Sequence, residues 1–566
     1  MLETIRITMQ NRALDVPKGI QLQAALRLFA QADGADATGT AQGGPGSAVL
    51  ACMSGGRVLE LSETLQADTA LIPLTYQHEE GRRLYERSLR FLFLASMKRL
   101  FPGMRVRMQH SVGHGLYIKP QEGALSHEDV RRLEADMHTL VSENLPFEKE
   151  EWTRQQAIAY FEGEGWLDKA ELLRYRPKET IPMYRMAGLC EYFYGAMLPS
   201  TGMLTAFQLK PHHPGVVLSA PSPENPDQPA PYVPRKKFLR VFDESQRWCS
   251  ILGARNVSDV NRMIKDGKIR EFIRVSEALH DRSIAAIADD ILKRQARIVM
   301  IFGPSSSGKT TFANRLAVHL QVLGQKPHLI SLDDFYRNRA DLPLEADGTP
   351  DLEHVDALDI PLLTRCLEGL LSGEAVEMPL YDFKVARRSA ETHRMQLGEN
   401  EPLLVEGIHG MNDKIVSELP EQLMYGVYVS ALGCINLDDH NRIRTTDVRL
   451  LRRMVRDMRK RNTSPTETID MWPKVRAGEE KWIFPYQERA DVMFNTSLHY
   501  ELPILKNMAY ELLLQIPPSA PQYLTARRLI KLLHYFLPAV GPVMEEIPPL
   551  SILREFVGDS AFYDIH

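Results

Sequence analysis

Cysteine is scarce here: Cys52, Cys190, Cys249, Cys366 and Cys434 are the only 5 among 566 residues, and no CxxC pair occurs. That scatter excludes a disulfide framework or a cysteine-rich zinc site and implies reduced thiols, so a cytoplasmic setting is expected. No apolar run approaches the roughly 18 residues of a membrane span, and no basic start leads into an apolar export segment. Neither membrane insertion nor secretion is therefore expected. Charge of one sign is lacking too. A net charge of -5 with 25% charged residues gives no global basic field for nucleic acid and no acidic excess for disorder. Any polyanion binding would need a local patch. No internal repeat emerges, and the length exceeds what one core supports, which predicts about three or four domains.

What stands out is Gly303-Pro304-Ser305-Ser306-Ser307-Gly308-Lys309-Thr310, directly after the apolar run Ile298 to Phe302 and directly before a helix-like stretch. Strand, glycine loop and helix in that order make a phosphate cradle. The glycines let the backbone curl so that successive N–H groups face a β-phosphate, and the helix N-terminus adds its partial positive charge. Lys309 is placed to reach the β- and γ-phosphates, Thr310 offers a hydroxyl to Mg²⁺, and Thr311 joins them in the first helical turn. ATP and Mg²⁺ are the expected cofactors.

Beyond this loop, strands and helices alternate. A helix carries Phe312, Leu316, Leu320 and Leu323 on one face, and strands follow at His328 to Leu332, Pro402 to Val405 and Gly426 to Val429. Such alternation predicts an α/β fold with a parallel sheet covered on both faces. Ligands in such folds sit beyond the carboxyl ends of the strands, where Asp333 and Glu406 both stand. Glu406, ending an apolar strand, can hold Mg²⁺ together with Thr310 and the phosphates; pairing with a neighbouring basic group is the plainer alternative. Asp447 to Arg461 places Arg449, Arg453, Arg456 and Lys460 on one side of a helix and Leu451, Val455 and Met458 on another, which by itself reads as a solvated basic face.

Four segments in order, Ser331 to Arg337, Glu353-His354-Val355-Asp356, Pro379 to Phe383 and Val405 to Ile408, resemble the uridine kinase and phosphoribulokinase family over residues 296 to 515. The resemblance implies a P-loop kinase domain in which Asp333 is the general base toward an acceptor hydroxyl, beside Thr310 and Glu406 at the metal. A mere helix-capping role for Asp333 is the competing reading, one that Asp334 could fill equally. It also implies a lid helix whose Arg453, Arg456 and Arg461 contact the transferring phosphate, with Lys309 completing the catalytic set. Tyr336, Glu353 and Tyr381 fall on the acceptor side. The family's base-reading histidine is Ala386 here, followed by Arg387 and Arg388, which would favour a phosphorylated or acidic acceptor or simply face water. The acceptor expected from this is a small molecule, foremost a nucleoside through its 5′-hydroxyl, with a sugar phosphate as the alternative.

The N-terminal half reads as α+β. Strand-like Ile5 to Thr8, a helix at Leu22 to Phe29 and a strand within Asp68 to Thr75 resemble the β-grasp TGS domain over residues 1 to 76, with a floppy Gly/Ala/Thr-rich loop at Gly34 to Ser47. Gly81 to Phe91, Lys98 to Pro102, Gly115 to Tyr117 and Leu125 to Val130 resemble the second additional domain of threonyl-tRNA synthetase, over residues 77 to 218. Its editing chemistry needs two histidines four apart and then a Cys and His four apart, and those positions fall here on Phe91 and Ala95 and on Cys190 and Tyr194. Neither acid–base work nor metal ligation runs on Phe and Ala. His110 and His114 are also four apart, but in a strand-and-turn segment where that spacing shares no face. Six prolines between Ser219 and Pro234 mark a linker, taken as 219 to 237. A helical connector at 238 to 295 and a C-terminal helical extension at 516 to 566 complete the expected order. A nucleotide-dependent RNA- or ribosome-binding regulator is the competing class of function, with the N-terminal half as the nucleic-acid partner surface; self-assembly is left open.

Overall fold

The computed structural model describes residues 3–10, 12–32, 44–345, 348–382, 385, 387–539 and 541–562. Phe383, Ala386 and most of the Gly34 to Ser47 run lie outside them. The chain divides into two compact units: Met1–Pro234 with Asn436–Arg442 and Pro517–Leu524, and Arg235–Ile435 with Ile443–Ile516 and Thr525–His566.

The first unit opens with a five-stranded sheet ordered Arg12–Pro17, Thr4–Met9, Thr69–Leu74, Ala51–Ser54, Arg57–Glu60, in which Thr4–Met9 and Thr69–Leu74 run parallel. Period-two alternation turns Ile5 and Ile7 into a core closed by Leu22, Leu26 and Phe29 of the helix Leu22–Ala32, an arrangement of β-grasp type. Glu79–Leu100 follows as a 22-residue helix, with a four-stranded and a three-stranded antiparallel sheet after it. Phe91 and Ala95 are wholly buried on that helix, Phe91 ringed by Phe147 and Phe193 at 5.4 and 5.2 Å. Cys190 lies on the strand Leu189–Tyr192, where burial pushes its thiol up to about 11. His110 ends up inside the strand Val106–Val112 and His114 in the following turn.

Two features of this unit differ from the sequence reading. The proline-rich segment is no free tether: Ser219 completes the strand Gly215–Ser219, Tyr76 and Gln77 donate to the carbonyls of Pro221 and Pro223 at 2.9 Å each, and a helix has begun by Lys236. Proline removes the N–H but leaves the carbonyl, and these side chains satisfy it. The other difference is the hairpin Asn436–Asp438 with Asn441–Arg442, which belongs to the first unit although it lies inside the kinase-like stretch of sequence. Asp439 pairs with Arg107, while His440 meets Glu191 and Lys169 at 2.6 and 2.9 Å.

The second unit is built on five parallel strands, β1 (Ile298–Phe302), β2 (His328–Ser331), β3 (Leu403–Gly407), β4 (Met424–Ser430) and β5 (Val492–Asn495), in the order β2-β3-β1-β4-β5. Every residue of β1 and β3 is buried, which explains their unbroken apolar runs: helices cover both faces. Three helices matter for the site: α1 (Lys309–Val322), α2 (Thr445–Arg461) and α3 (Pro465–Trp482). Among the described residues no helix is long and apolar enough to cross a membrane.

Candidate active site

The glycine loop leaves β1 under tight steric control. A Cβ at Gly303 would stand 1.9 Å from the Val429 carbonyl oxygen of β4, and Gly308 holds φ +85° just before α1 begins. Only glycine satisfies both. The Lys309 Nζ donates to the Pro304 carbonyl at 3.3 Å; burial pushes its ammonium down, with the negative Glu406 and Asp333 working against that.

Glu406, on β3, takes two hydroxyl donors on one oxygen: Thr310 Oγ1 at 3.0 Å and Ser331 Oγ at 3.1 Å. Burial, and then the neighbouring Asp333, push its carboxyl up to about 7 despite Lys309. Ser331 also accepts from the Asp333 N–H at 3.3 Å, so Ser331 is the cap of the short turn Leu332–Phe335 and Asp333 is not. The two adjacent acids part company. Asp334 accepts from the Tyr381 N–H at 3.3 Å, whereas the Asp333 carboxylate accepts no hydrogen bond among the described residues. Two crowded carboxylates beside a hydroxyl are a hard-oxygen donor set whose repulsion a dication relieves, so Thr310, Asp333 and Glu406 fit Mg²⁺. Among the described residues no cluster of three or more His, Cys, Asp or Glu could hold a metal, so phosphate and water oxygens would supply the remaining ligands.

Arg449, Arg452 and Arg453 of α2 are buried rather than solvated, whereas Arg459, Lys460 and Arg461 at its end are exposed. Arg449 is 1% exposed, its guanidinium pushed down by burial; it donates through Nε and Nη2 to the Ser305 carbonyl at 2.9 and 2.8 Å and pairs with Glu479 of α3. Glu479 in turn accepts from the Ser305 N–H at 3.1 Å. Arg453 donates to the Ser305 hydroxyl at 2.8 Å, and Arg453, Arg456 and Arg461 converge on the buried Asp457 at 3.2, 2.7 and 3.8 Å. Of the three sequence-picked arginines, Arg453 touches the loop directly. Arg449 and Glu479 were missed, although Arg449 stands one turn before Arg453 in the same stripe.

On the acceptor side, the Tyr336 hydroxyl donates to the Leu352 carbonyl at 3.0 Å and its ring lies 5.8 Å from that of Tyr381. Glu353 is pushed up to about 7 by burial, with Arg453 and Lys309 pulling the other way. It sits hard against Gly478 of α3, where a Cβ would come within 2.4 Å of the Glu353 Cβ. Arg388 pairs with Asp359 at 3.2 Å and its backbone N–H goes to Asn338 at 3.0 Å, while Arg387 is exposed.

A model of the phosphoribulokinase / uridine kinase family matches residues 298–500. A uridine kinase from Deinococcus deserti is 31% identical over 197 residues, covering 35% of this chain and 86% of that one. The chain belongs to the phosphoribulokinase/uridine kinase family. Its N-terminal region matches a threonine--tRNA ligase from Nitratidesulfovibrio vulgaris, 30% identical over 207 residues, 36% of this chain and 30% of the ligase. The chain thus spans under a third of the length of that ligase. A solved structure titled a putative fructose transport system kinase, from Silicibacter, is 19% identical with a TM-score of 0.29, covering 37% of this chain and 98% of that one. The family match includes the loop, Asp333, Glu406 and α2, and it ends before the C-terminal segment.

Proposed function

We propose that this chain is an ATP-dependent kinase that transfers the γ-phosphoryl group to a hydroxyl of a small molecule, with a nucleoside 5′-hydroxyl as the acceptor. The observation that carries the reading is Asp333: a carboxylate free of capping duty, beside Glu406, Thr310 and Lys309 at the ends of β2, β3 and β1. Loop N–H groups and Lys309 bind the phosphates, and Thr310, Glu406 and Asp333 hold Mg²⁺, which when bound neutralises phosphate charge. Asp333 accepts the proton of the acceptor hydroxyl. Arg453, Arg456 and Arg461 turn from Asp457 to the transferring group and exclude water. Tyr336, Tyr381 and Glu353 line the acceptor side.

The Arg388–Asp359 pair leaves the exposed Arg387 as the cation a phosphorylated acceptor would meet, so the sugar phosphate stays the alternative to the nucleoside. Incubation with ATP, Mg²⁺ and a panel of nucleosides and sugar phosphates tests this, with labelled nucleoside monophosphate as the expected product. Turnover raised by structured RNA and by no small acceptor would favour the regulatory alternative, which the similarity to threonine--tRNA ligase keeps in view. The setting proposed is cytoplasmic.

A further inference from the structure

We propose that the C-terminal segment Ser551–Gly558, outside the residues matched to the family, is part of the phosphate-binding site, with Glu555 as a positioning residue for the start of α1. The inference rests on the nucleotide-binding part of the reading above.

Glu555 is 244 residues from Thr311 in sequence, yet its segment meets the loop and the start of α1 at two adjoining points. The Thr311 hydroxyl, directly after Thr310, donates to Glu555 Oε2 at 2.8 Å with both residues buried. One turn earlier, the place of a Gly308 Cβ lies 2.6 Å from Ile552 Cγ2, so the segment walls the loop where it turns into the helix. This is the turn whose N–H groups lack partners within the helix and are offered to phosphate. Fixing Thr311 fixes their direction.

The segment is built in rather than draped. Ile552, Leu553, Phe556 and Val557 are each at most 2% exposed. Ser551 donates to Glu277 Oε1 at 2.6 Å, and the same carboxylate takes the Tyr500 hydroxyl at 2.5 Å and faces Arg315 of α1 at 3.4 Å. The segment also reaches the arginine helix: the Arg452 guanidinium lies 4.9 Å over the Phe556 ring, and the place of a Gly558 Cβ is filled by Arg459. One short piece of chain therefore braces the phosphate loop and the helix that carries its arginines. A carboxylate this close to a triphosphate opposes binding by charge alone, so its presence is explained by the hydroxyl it orients.

The test is nucleotide affinity in the full chain, read by titration with a fluorescent ATP analogue and Mg²⁺ well below the unfolding temperature, beside KM for ATP and kcat. Glu555→Ala is expected to raise Kd and KM at least tenfold with kcat within threefold, and Glu555→Gln, which keeps an acceptor for Thr311, to stay within threefold of the unaltered chain. Thr311→Val should match Glu555→Ala, and the double variant should be no weaker than the worse single one. A merely structural role would lower the unfolding temperature and leave Kd unmoved. Should Glu555→Ala not fold, Glu555→Asp, whose carboxylate is one methylene too short to hold the Thr311 hydroxyl, decides: tenfold weaker binding supports the inference and a change under twofold overturns it. Unaltered affinity in the variants, with normal binding by the unaltered chain, overturns this inference alone; no binding by the unaltered chain overturns the kinase reading and this inference with it.

Discussion

Two buried charge clusters, one in each unit, are resolved in opposite ways. In the first unit Lys169, Glu191 and His440 lie within 2.5 to 2.9 Å of one another; burial pushes the Glu191 carboxyl up, but Lys169 and His440 outweigh it and hold it at about 2. In the second unit Glu406 and Glu353 are pushed up to about 7, and Asp333 adds to that crowding. In the first cluster Glu191 is matched within the protein, while Asp168 beside Lys169 is pushed up to about 6 by burial and by Asp439 and Asp438. In the second, Lys309 and Arg453 face the carboxylates without outweighing burial, and a bound Mg²⁺ would add the missing positive charge. Buried carboxylates held near neutrality in a cleft are a mark of function, whereas matched pairs are a mark of architecture. The same contrast explains the resembled editing positions: Phe91 and Ala95 have become core, leaving the first unit no acid–base pair there.

The sharpest way to break this comparison is Asp333→Ala. Loss of a general base costs about 10²- to 10⁴-fold in phosphoryl transfer, while ATP binding should persist because the loop, Lys309 and Thr310 are untouched. Unchanged turnover of labelled product would remove Asp333 from the chemistry. The mirror experiment in the first unit is Lys169→Met, which leaves Glu191 buried without its lysine and should cost about 3–5 kcal/mol of stability at pH 7. Urea unfolding followed through Trp166, whose ring lies 5.0 Å from Lys169 Nζ, measures it. Because the folded Glu191 carboxyl is depressed, its contribution is present above about pH 4.5 and is lost as pH falls toward about 2. The gap between wild type and variant should therefore shrink in acid. An equal gap at pH 7 and pH 3 would show that the pair is not what stabilises this unit.

Glu353→Gln should behave in the opposite sense. A carboxyl raised to about 7 stabilises fully below its unfolded value near 4.5 and loses that contribution as pH rises through 7. Removing the charge should thus stabilise the protein by about 1–2 kcal/mol above pH 8 and by nothing below pH 4.5, at the expense of turnover. Calorimetric unfolding at the two pH values checks it, and a destabilised variant at pH 8 would mean that Glu353 is already compensated.

These clusters were unequally legible in the sequence. The glycine loop, Asp333 and Glu406 were readable because each sits at a strand end, where local pattern fixes position. The α1 face was readable through Phe312, Leu316 and Leu320. The Arg449–Glu479 pair and the Thr311–Glu555 contact were not, since their partners are 30 and 244 residues apart and no period links them. Nor could composition show that Pro221 and Pro223 of the proline-rich segment would be tied down by Tyr76 and Gln77, or that residues 436–442 would complete the cluster around Lys169. The amphipathic reading of α2 failed for a related reason: a guanidinium can be buried when a carboxylate and a carbonyl share its fork, and Glu479 and the Ser305 carbonyl do so for Arg449.

The smallest effect is expected at Arg388, whose pair with Asp359 is about 30% exposed on both sides. Such pairs contribute about 0–1 kcal/mol, so Arg388→Ala should leave stability and nucleoside turnover within about threefold. Its informative reading is selectivity. If Arg388 only steadies Asp359, which caps the helix Ile360–Leu371 through the Leu362 N–H at 3.2 Å, the ratio of turnover on nucleosides to turnover on sugar phosphates will not change. A selective loss on phosphorylated acceptors would mean that the arginine leaves Asp359 for substrate. The acceptor side would then offer a cation of its own to the substrate, and the sugar-phosphate reading would displace the nucleoside.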